Sequence, residues 1–299
     1  MKCKTPVLII IDQIKTKDKI SNLQNEWDKD IRLVACGKCP ECQRKRTLEW
    51  THRIQHEYET SNWNGYFITL TYDEPYLPKK GVNKEDVQKY MKRIRHFKKD
   101  NKIKYFFSAE YGEQLGRPHY HGIILGLDNN SKYLVDTCWN MGFTLCKPVN
   151  YANIKYVVDY LFKTIPEEVQ KDIDNKNLNQ PFTLKSKGIG LNYAKKYIHE
   201  ISKEKAISVQ KYKLSIPRYY LKKMKDKTIE NGDAYYEHIT QDNKGKKYKD
   251  IIKKEEIDLS EMTKKDIRKL IEEEYWNENR YAHIIAHNQQ IESRKKLKK

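Results

Sequence analysis

Residues 104–125 read KYFFSAEYGEQLGRPHYHGIIL. Two runs rich in aromatic and apolar residues, Lys104–Glu110 and His119–Leu125, flank a short segment that holds Gly112, Gly116 and Pro118. Runs of this kind bounded by turn residues read as strands. Two strands joined by so short a turn are antiparallel, so the stretch predicts an antiparallel sheet. It also carries chemistry. Side chains alternate along a strand, so His119 and His121 project from one face and Tyr120 from the other. The turn brings Glu110, at the end of the first strand, back beside the histidine pair. Two imidazoles and a carboxylate leave positions open for substrate oxygens, as a catalytic divalent site requires. With a phosphate-bearing substrate, that donor set favours Mg²⁺ or Mn²⁺. A His-x-His pair alone more often marks packed or surface histidines, so the weight of the reading rests on its neighbours.

Upstream, Tyr66–Tyr72 (YFITLTY) reads as a buried strand. It follows a helix expected over Glu41–Glu59, whose start is basic through Arg44, Lys45 and Arg46. Asn83 suits the N-cap of a further helix, with Val87, Tyr90, Met91, Ile94 and Phe97 at helical spacing. Downstream, Cys138–Lys147 holds a further short strand and Asn153–Lys163 a helix stopped by Pro166. On that helix Ile154, Val157, Val158 and Leu161 make one apolar stripe, while Tyr156, Tyr160 and Lys163 fall on the opposite side. The aliphatic stripe supplies the packing face, so the two phenols and the ammonium are presented together on the other. A phenol with an ordinary pKa near ~10 is a poor nucleophile until something stabilises the phenolate. Lys163 or a nearby metal supplies that. A tyrosine attacking a DNA phosphate forms a covalent phosphotyrosine and releases a 3′-hydroxyl, keeping the bond energy for resealing.

The chain has 299 residues and a formal net charge of +18, from 59 Lys and Arg against 41 Asp and Glu. That balance points to a polyanionic partner held through its backbone, although an AT-rich genome also favours lysine codons. With 22 Tyr, 7 Phe and 5 Trp the chain has material for a core, which excludes disorder throughout. No run approaches the ~20 apolar residues of a membrane span, and Val7–Ile11 is too short for a secretion signal. The expected setting is therefore a reducing cytoplasm with no membrane partner. There the spacing Cys36-x-x-Cys39-x-x-Cys42 reads as metal ligation rather than disulfides, with Cys3 as fourth ligand of a structural Zn²⁺. Three reduced thiols at a turn is the alternative.

Together, Phe67–Thr71 (FITLT), Arg117–Gly122 (RPHYHG) and Tyr156–Lys163 (YVVDYLFK) resemble, in order and spacing, the three motifs of the HUH endonucleases, the rolling-circle replication initiators. Glu110 stands nine residues before His119, where related initiators place a third ligand. The chain is most similar to the initiators of gokushoviruses, small single-stranded DNA phages of the Microviridae. Trp50, Arg53, the KGIG run at Lys187–Gly190 and the PRYY run at Pro217–Tyr220 carry that likeness. Tyr120 stands where the family motif has an aliphatic residue. The resemblance implies about five antiparallel strands and a nick-and-join cycle at the phage origin in the host bacterial cytoplasm, with host polymerase and helicase as partners. Tyr160, in Y-x-x-K register with Lys163, is expected to attack first and Tyr156 second, although sequence leaves their order open. Lys163 either activates the phenol or protonates a leaving oxygen. Thr69, Thr71 and Arg117 are expected to contact DNA, with sheet filling an equal alternative for the threonines.

The expected fold is α+β, a central antiparallel sheet with helices packed on one face. The expected organisation is a Cys-rich arm and helix over 1–60, an endonuclease core over 61–165, an accessory insertion and basic segment over 166–225, and a basic, mainly helical region over 226–299. Residues 167–190 read as a surface insertion, and Thr263 opens a late helix. Two other function classes remain: a non-catalytic zinc-bearing nucleic-acid-binding protein, and a transposase or relaxase using the same chemistry. A hydrolase built on three alternating histidines is excluded by Ile123. The absence of a G-x-x-x-x-G-K-[ST] loop means that unwinding comes from another protein.

Overall fold

The computed structural model describes residues 7–12, 29–99, 103–112, 116–163, 165, 167–210 and 212–240. Cys3, the late helix at Thr263 and the basic tail lie outside them. Strands β1 (Val7–Asp12) and β2 (Lys29–Val34) form an antiparallel hairpin in a compact unit of its own. The second unit spans residues 37–242 in the main chain run. It begins with α1 (Pro40–Thr60), β3 (Gly65–Thr71) and α2 (Lys84–Lys98), then β4 (Lys104–Tyr111), β5 (Pro118–Leu125) and α3 (Leu134–Cys138). There follow β6 (Thr144–Pro148), α4 (Tyr151–Asp159), α5 (Glu167–Asn175) and β7 (Thr183–Lys185). It ends with α6 (Leu191–Lys196), α7 (Ile198–Glu204), the β8–β9 hairpin (Ile207–Val209, Tyr212–Leu214), α8 (Arg218–Lys225) and α9 (Gly232–Thr240).

The fold is α+β around a five-stranded sheet in the order β6-β3-β5-β4-β7, antiparallel throughout. The three inner strands are β3, β5 and β4. Their residues are buried almost without interruption, so both faces need cover. This corrects the expectation of helices on one face. Ile54 of α1 and Ile154, Val157 and Val158 of α4 pack on Phe67, Phe106, Ile123 and Leu125. Val87, Tyr90, Met91 and Ile94 of α2, with Leu134 and Val135 of α3, cover Ile68, Leu70, Phe107, Tyr120 and Ile124 on the other face. Helix α2 begins as its sequence dictates, with the Asn83 side chain accepting from the Glu85 amide at 3.1 Å.

Tyr120 lies in the second layer and is fully buried. Its hydroxyl meets Tyr72 Oη at 2.8 Å and accepts from the Asn83 amide at 2.6 Å. The next residue on that side is Gly122, where a Cβ would run into the Phe107 ring. Only glycine lets that ring lie flat on the strand.

Residues 167–190 are not a surface insertion. Ile173 of α5 and Ile189 are buried in the two cores, and β7 pairs with β4 as an edge strand. A three-residue strand is too short to register as periodicity. The polar stretch before it clamps the loop above α2: Asn179 donates from its side chain to Val82 O at 2.9 Å, and its carbonyl accepts from Tyr111 Oη at 2.7 Å. Helix α4 also differs from expectation. It starts at Tyr151, because the Asn150 side chain caps the Asn153 amide at 2.8 Å, and it ends at Asp159. Tyr160 is the C-cap residue and Lys163 lies beyond the helix.

Candidate active site

The register of the inner strands builds the site. Glu110 pairs with His119, while Ser108 and Thr69 flank His121 on its two sides. Glu110, His119 and His121 therefore share the sheet face covered by α1 and α4, at the end where the apolar cover stops. Helix α4 is fixed to that face by its aliphatic stripe and by Ser108 Oγ, which donates to Val157 O at 2.9 Å. Its outer side carries Tyr156, which is 44% exposed.

Glu110 Oε1 lies 3.1 Å from His119 Nε2 and 3.0 Å from His121 Nε2. Lys163 Nζ reaches the other oxygen, Oε2, at 3.3 Å and stands 4.7 Å from the Tyr160 ring centroid. Tyr156 Oη is 3.3 Å from His121 Nε2, and Tyr160 donates to Tyr156 Oη at 2.7 Å. The chain thus brings Glu110, His119, His121, Tyr156, Tyr160 and Lys163 into one hydrogen-bonded group. Burial by itself would push the Glu110 carboxyl up. The hydrogen bonds from His119, His121 and Tyr160 outweigh it and hold the carboxyl well below the usual carboxylate range. Burial, the bond to Tyr156 and the Glu110 carboxylate push the Tyr160 phenol far above its ordinary value.

The donor set fits a divalent cation. The three ligand atoms lie within 4.8 Å of one another. The two contacts of 3.0 and 3.1 Å match the separation of about 3 Å between adjacent donors around an ion such as Mg²⁺, whose bonds are about 2.0–2.1 Å long. The outer ring nitrogens are already engaged: His119 Nδ1 donates to Arg117 O at 3.1 Å, and His121 Nδ1 meets Thr69 Oγ1 at 3.0 Å. Partners of this kind fix the tautomer that leaves Nε2 free to ligate.

The remaining predicted residues take structural places. Thr69 orients His121. Thr71 Oγ1 donates to Phe143 O at 3.1 Å, on the edge strand side. Arg117 is engaged within the protein: Nη1 reaches Glu74 Oε2 at 2.6 Å and Nη2 reaches Tyr72 O at 2.8 Å, tying the β4–β5 turn to the loop after β3. Sequence reasoning missed Phe67, whose ring stacks near His121 at 6.1 Å between centroids and meets Tyr156 edge-on. The signal was there, since Phe67 alternates in phase with Thr69. It also missed Ser108. Cys36, Cys39 and Cys42 are a second group with metal-ligand chemistry, each half-buried. Among the described residues no helix is long and apolar enough to cross a membrane.

Residues 65–165, which hold all of the site, match the family model of the replication-associated protein ORF2 group. The chain is 27% identical to replication-associated protein ORF4 of Chlamydia phage 1, over 68% of this chain and 57% of that protein. It is 28% identical to replication-associated protein ORF2 of Spiroplasma virus 4, over 64% of this chain and 67% of the relative. It is 27% identical to replication-associated protein VP4 of Bdellovibrio phage phiMH2K, over 62% and 65%. The match to the first of these spans little more than half its length. No solved structure matches the chain.

Proposed function

Because the chain belongs to the replication-associated proteins of the gokushovirus type, we propose that it initiates rolling-circle replication by nicking and rejoining single-stranded DNA at the phage origin. The observation that carries this reading is the contact between the α4 phenols and the Glu110–His119–His121 group: Tyr156 Oη stands 3.3 Å from His121 Nε2, and Tyr160 is bonded to Tyr156.

A phenol oxygen attacks the scissile phosphorus. The Tyr–O–P bond forms, the P–O3′ bond breaks, and the phenol proton passes to the departing 3′-oxygen through solvent or Lys163. Glu110, His119 and His121 hold Mg²⁺ or Mn²⁺, which supplies positive charge to the phosphoryl oxygens and the developing negative charge. Lys163 adds charge above the Tyr160 ring, and for that reason Tyr160 is assigned the first attack. Tyr156, one helical turn earlier, takes the second, on the regenerated origin. The 3′-hydroxyl released then attacks the phosphotyrosine and closes the circle, restoring the phenol. Thr69 and Phe67 keep His121 oriented throughout. The basic chain binds DNA in the host cytoplasm, where host polymerase and helicase extend and unwind it.

Incubation with a single-stranded phage-origin oligonucleotide and Mn²⁺ is expected to give an adduct that survives denaturation. Peptide mapping should find the DNA on Tyr160 or Tyr156, and the Tyr156→Phe/Tyr160→Phe double variant should give no adduct. Failure of the native protein on origin DNA, or an adduct on the double variant, refutes the reading. Cys36, Cys39 and Cys42 are proposed to hold a structural Zn²⁺ with a fourth ligand from the N-terminal arm, Cys3. Elemental analysis should then find about one zinc per chain, and zinc-free folded protein rules this out.

A further inference from the structure

Beside the catalytic group, on the same sheet face, three cations gather around aromatic rings. Lys185 of β7 pairs with Phe106 of β4, and Thr183 pairs with Ser108. Phe106, Ser108 and Glu110 alternate on one face, so Lys185 shares the face of Glu110, about 13 Å away along the strand direction. Lys185 Nζ lies 4.9 Å from the Trp50 ring centroid and 5.6 Å from that of Phe106, and donates to Thr183 Oγ1 at 3.3 Å. The Arg53 guanidinium, 7% exposed, is wedged between Trp50 at 3.9 Å and Tyr219 at 3.7 Å, with Nε donating to Ile189 O. Arg46, one helical turn before Trp50, stands 5.7 Å from the ring of Phe162, which adjoins Lys163. Burial first, then the charges of Arg46 and Arg53, push the Lys185 amine down.

Among the described residues none of these three cations forms an ion pair. Glu49 and Glu57 attract Arg53 only at longer range. Glu57 is committed to Lys104 Nζ at 2.9 Å and to the Gly190 amide at 2.7 Å. Gathering like charges, two of them partly or wholly withdrawn from water, costs free energy that folding alone does not recover. The rings hold the cations in place without neutralising them. An arrangement of that kind is preorganised for an anion, and the nearest chemistry on the same face is phosphate chemistry.

The geometry points to a phosphate subsite formed by Arg46 and Lys185, braced by Trp50 and Arg53, that grips the backbone of the single strand next to the scissile phosphate. This rests on the proposed nicking function and adds the path by which the strand leaves the catalytic group: over Phe162 toward β7 and the start of α1. The contacts are to phosphate and read no base.

The test measures binding of the full chain to a fluorescent oligothymidylate of about 20 nucleotides. EDTA is present, so no cleavage intervenes, and salt is varied. Arg46→Gln/Lys185→Met removes two charges and keeps most of the side-chain packing. Its slope of log affinity against log salt should fall in magnitude by about 1.4, about 0.7 for each phosphate contact, with affinity down about tenfold at physiological salt. Lys89→Gln/Lys92→Gln, which takes the same charge from α2 on the opposite layer, should leave the slope unchanged. Lys185→Arg should keep native binding, and matching thermal transitions exclude misfolding as the cause. A double variant whose slope equals that of the α2 control overturns the proposal, as does a native protein that does not bind the oligonucleotide. Native binding with the expected slope change but no adduct on origin DNA would leave the subsite standing and sink the nicking mechanism. Adduct formation with an unchanged slope would do the reverse.

Discussion

Thr69→Val separates the two threonines of the FITLT run. Both lie on β3 facing β5, but they do different work. Thr69 Oγ1 stands 3.0 Å from Nδ1 of His121, which is 8% exposed. Thr71 Oγ1 is spent on a backbone carbonyl, Phe143 O. Valine matches threonine in shape and lacks the oxygen. His121 would keep its Phe67 neighbour and its place in the strand, but the ring nitrogen facing Thr69 would be left without a partner. An unmet buried donor costs about 1–3 kcal/mol. That cost falls on the tautomer with the proton on Nδ1, the one whose Nε2 faces Glu110. At about 1.4 kcal/mol per factor of ten, the ligating form becomes roughly tenfold or more scarcer, in line with the 10–100-fold losses typical when an outer partner of a metal-binding histidine is removed. The assay is the initial rate of adduct formation on origin DNA across a Mn²⁺ series. Thr69→Val should demand about tenfold more Mn²⁺ for half-maximal rate and approach the native maximum at saturation. Thr69→Ser should restore the native curve, and Thr71→Val should shift it less than twofold. Superimposed curves for native and Thr69→Val, or equal shifts for Thr69→Val and Thr71→Val, would show that the hydroxyl does not orient His121.

Two further substitutions probe parts away from the catalytic group. Tyr120→Phe leaves the Asn83 amide and Tyr72 Oη without their shared oxygen. It should lower stability by about 2 kcal/mol, or about 4–8 °C in the thermal midpoint for a body of this size, with adduct yield per folded molecule unchanged; lost chemistry at native stability would place Tyr120 on the wrong face. His56 is buried with both nitrogens bonded, to Tyr220 Oη and Ser208 O, and burial pushes it down to about 4. The unfolded chain binds that proton near an ordinary value of ~6.5, so stability is full above about pH 6.5 and falls as pH drops toward 4. Urea unfolding should register about 2 kcal/mol of this loss between pH 7 and pH 5, and His56→Gln should show correspondingly less acid sensitivity over the same interval; an equal loss in both proteins would assign the titration elsewhere.

The parts of this molecule that were legible in the sequence are those governed by local period. Alternation put His119 and His121 on one face and Tyr120 on the other. Helical spacing set the α4 aliphatics against the phenols, and the short turn dictated the antiparallel β4–β5 pair. What was not legible depended on partners distant in sequence. The end of α4 at Asp159 follows no local breaker, since Leu161 extends the apolar stripe. The chain leaves the helix there, and Lys163 then reaches Glu110 from a loop rather than from a helix face. The β7 edge strand is three residues long and is recruited by β4 across more than seventy positions. Arg117, in the most recognisable motif of the chain, has its guanidinium on Glu74 and Tyr72, and no local pattern foretells a salt bridge to a loop forty residues earlier. Cover on both faces was legible in principle, because YFITLTY and HYHGIIL are apolar in both phases of the alternation.

That continuous burial also explains where the catalytic group sits. Polar side chains within the middle of β3, β4 and β5 would need partners that the packed layers do not offer. Ser108 is the boundary case, a buried hydroxyl satisfied by the Val157 carbonyl. One step further along the face the helix cover ends, and Glu110, His119 and His121 satisfy one another. The bond that closes the apolar layer is the same bond that fixes the height of α4 on the sheet, and α4 carries both phenols. Positioning of the nucleophiles is thus inherited from core packing by Ile154, Val157 and Val158 rather than from contacts in the site. Precision of this kind comes more readily from a rigid element than from a loop. It leaves Tyr156 exposed to an incoming strand while its helix cannot shift without opening the core.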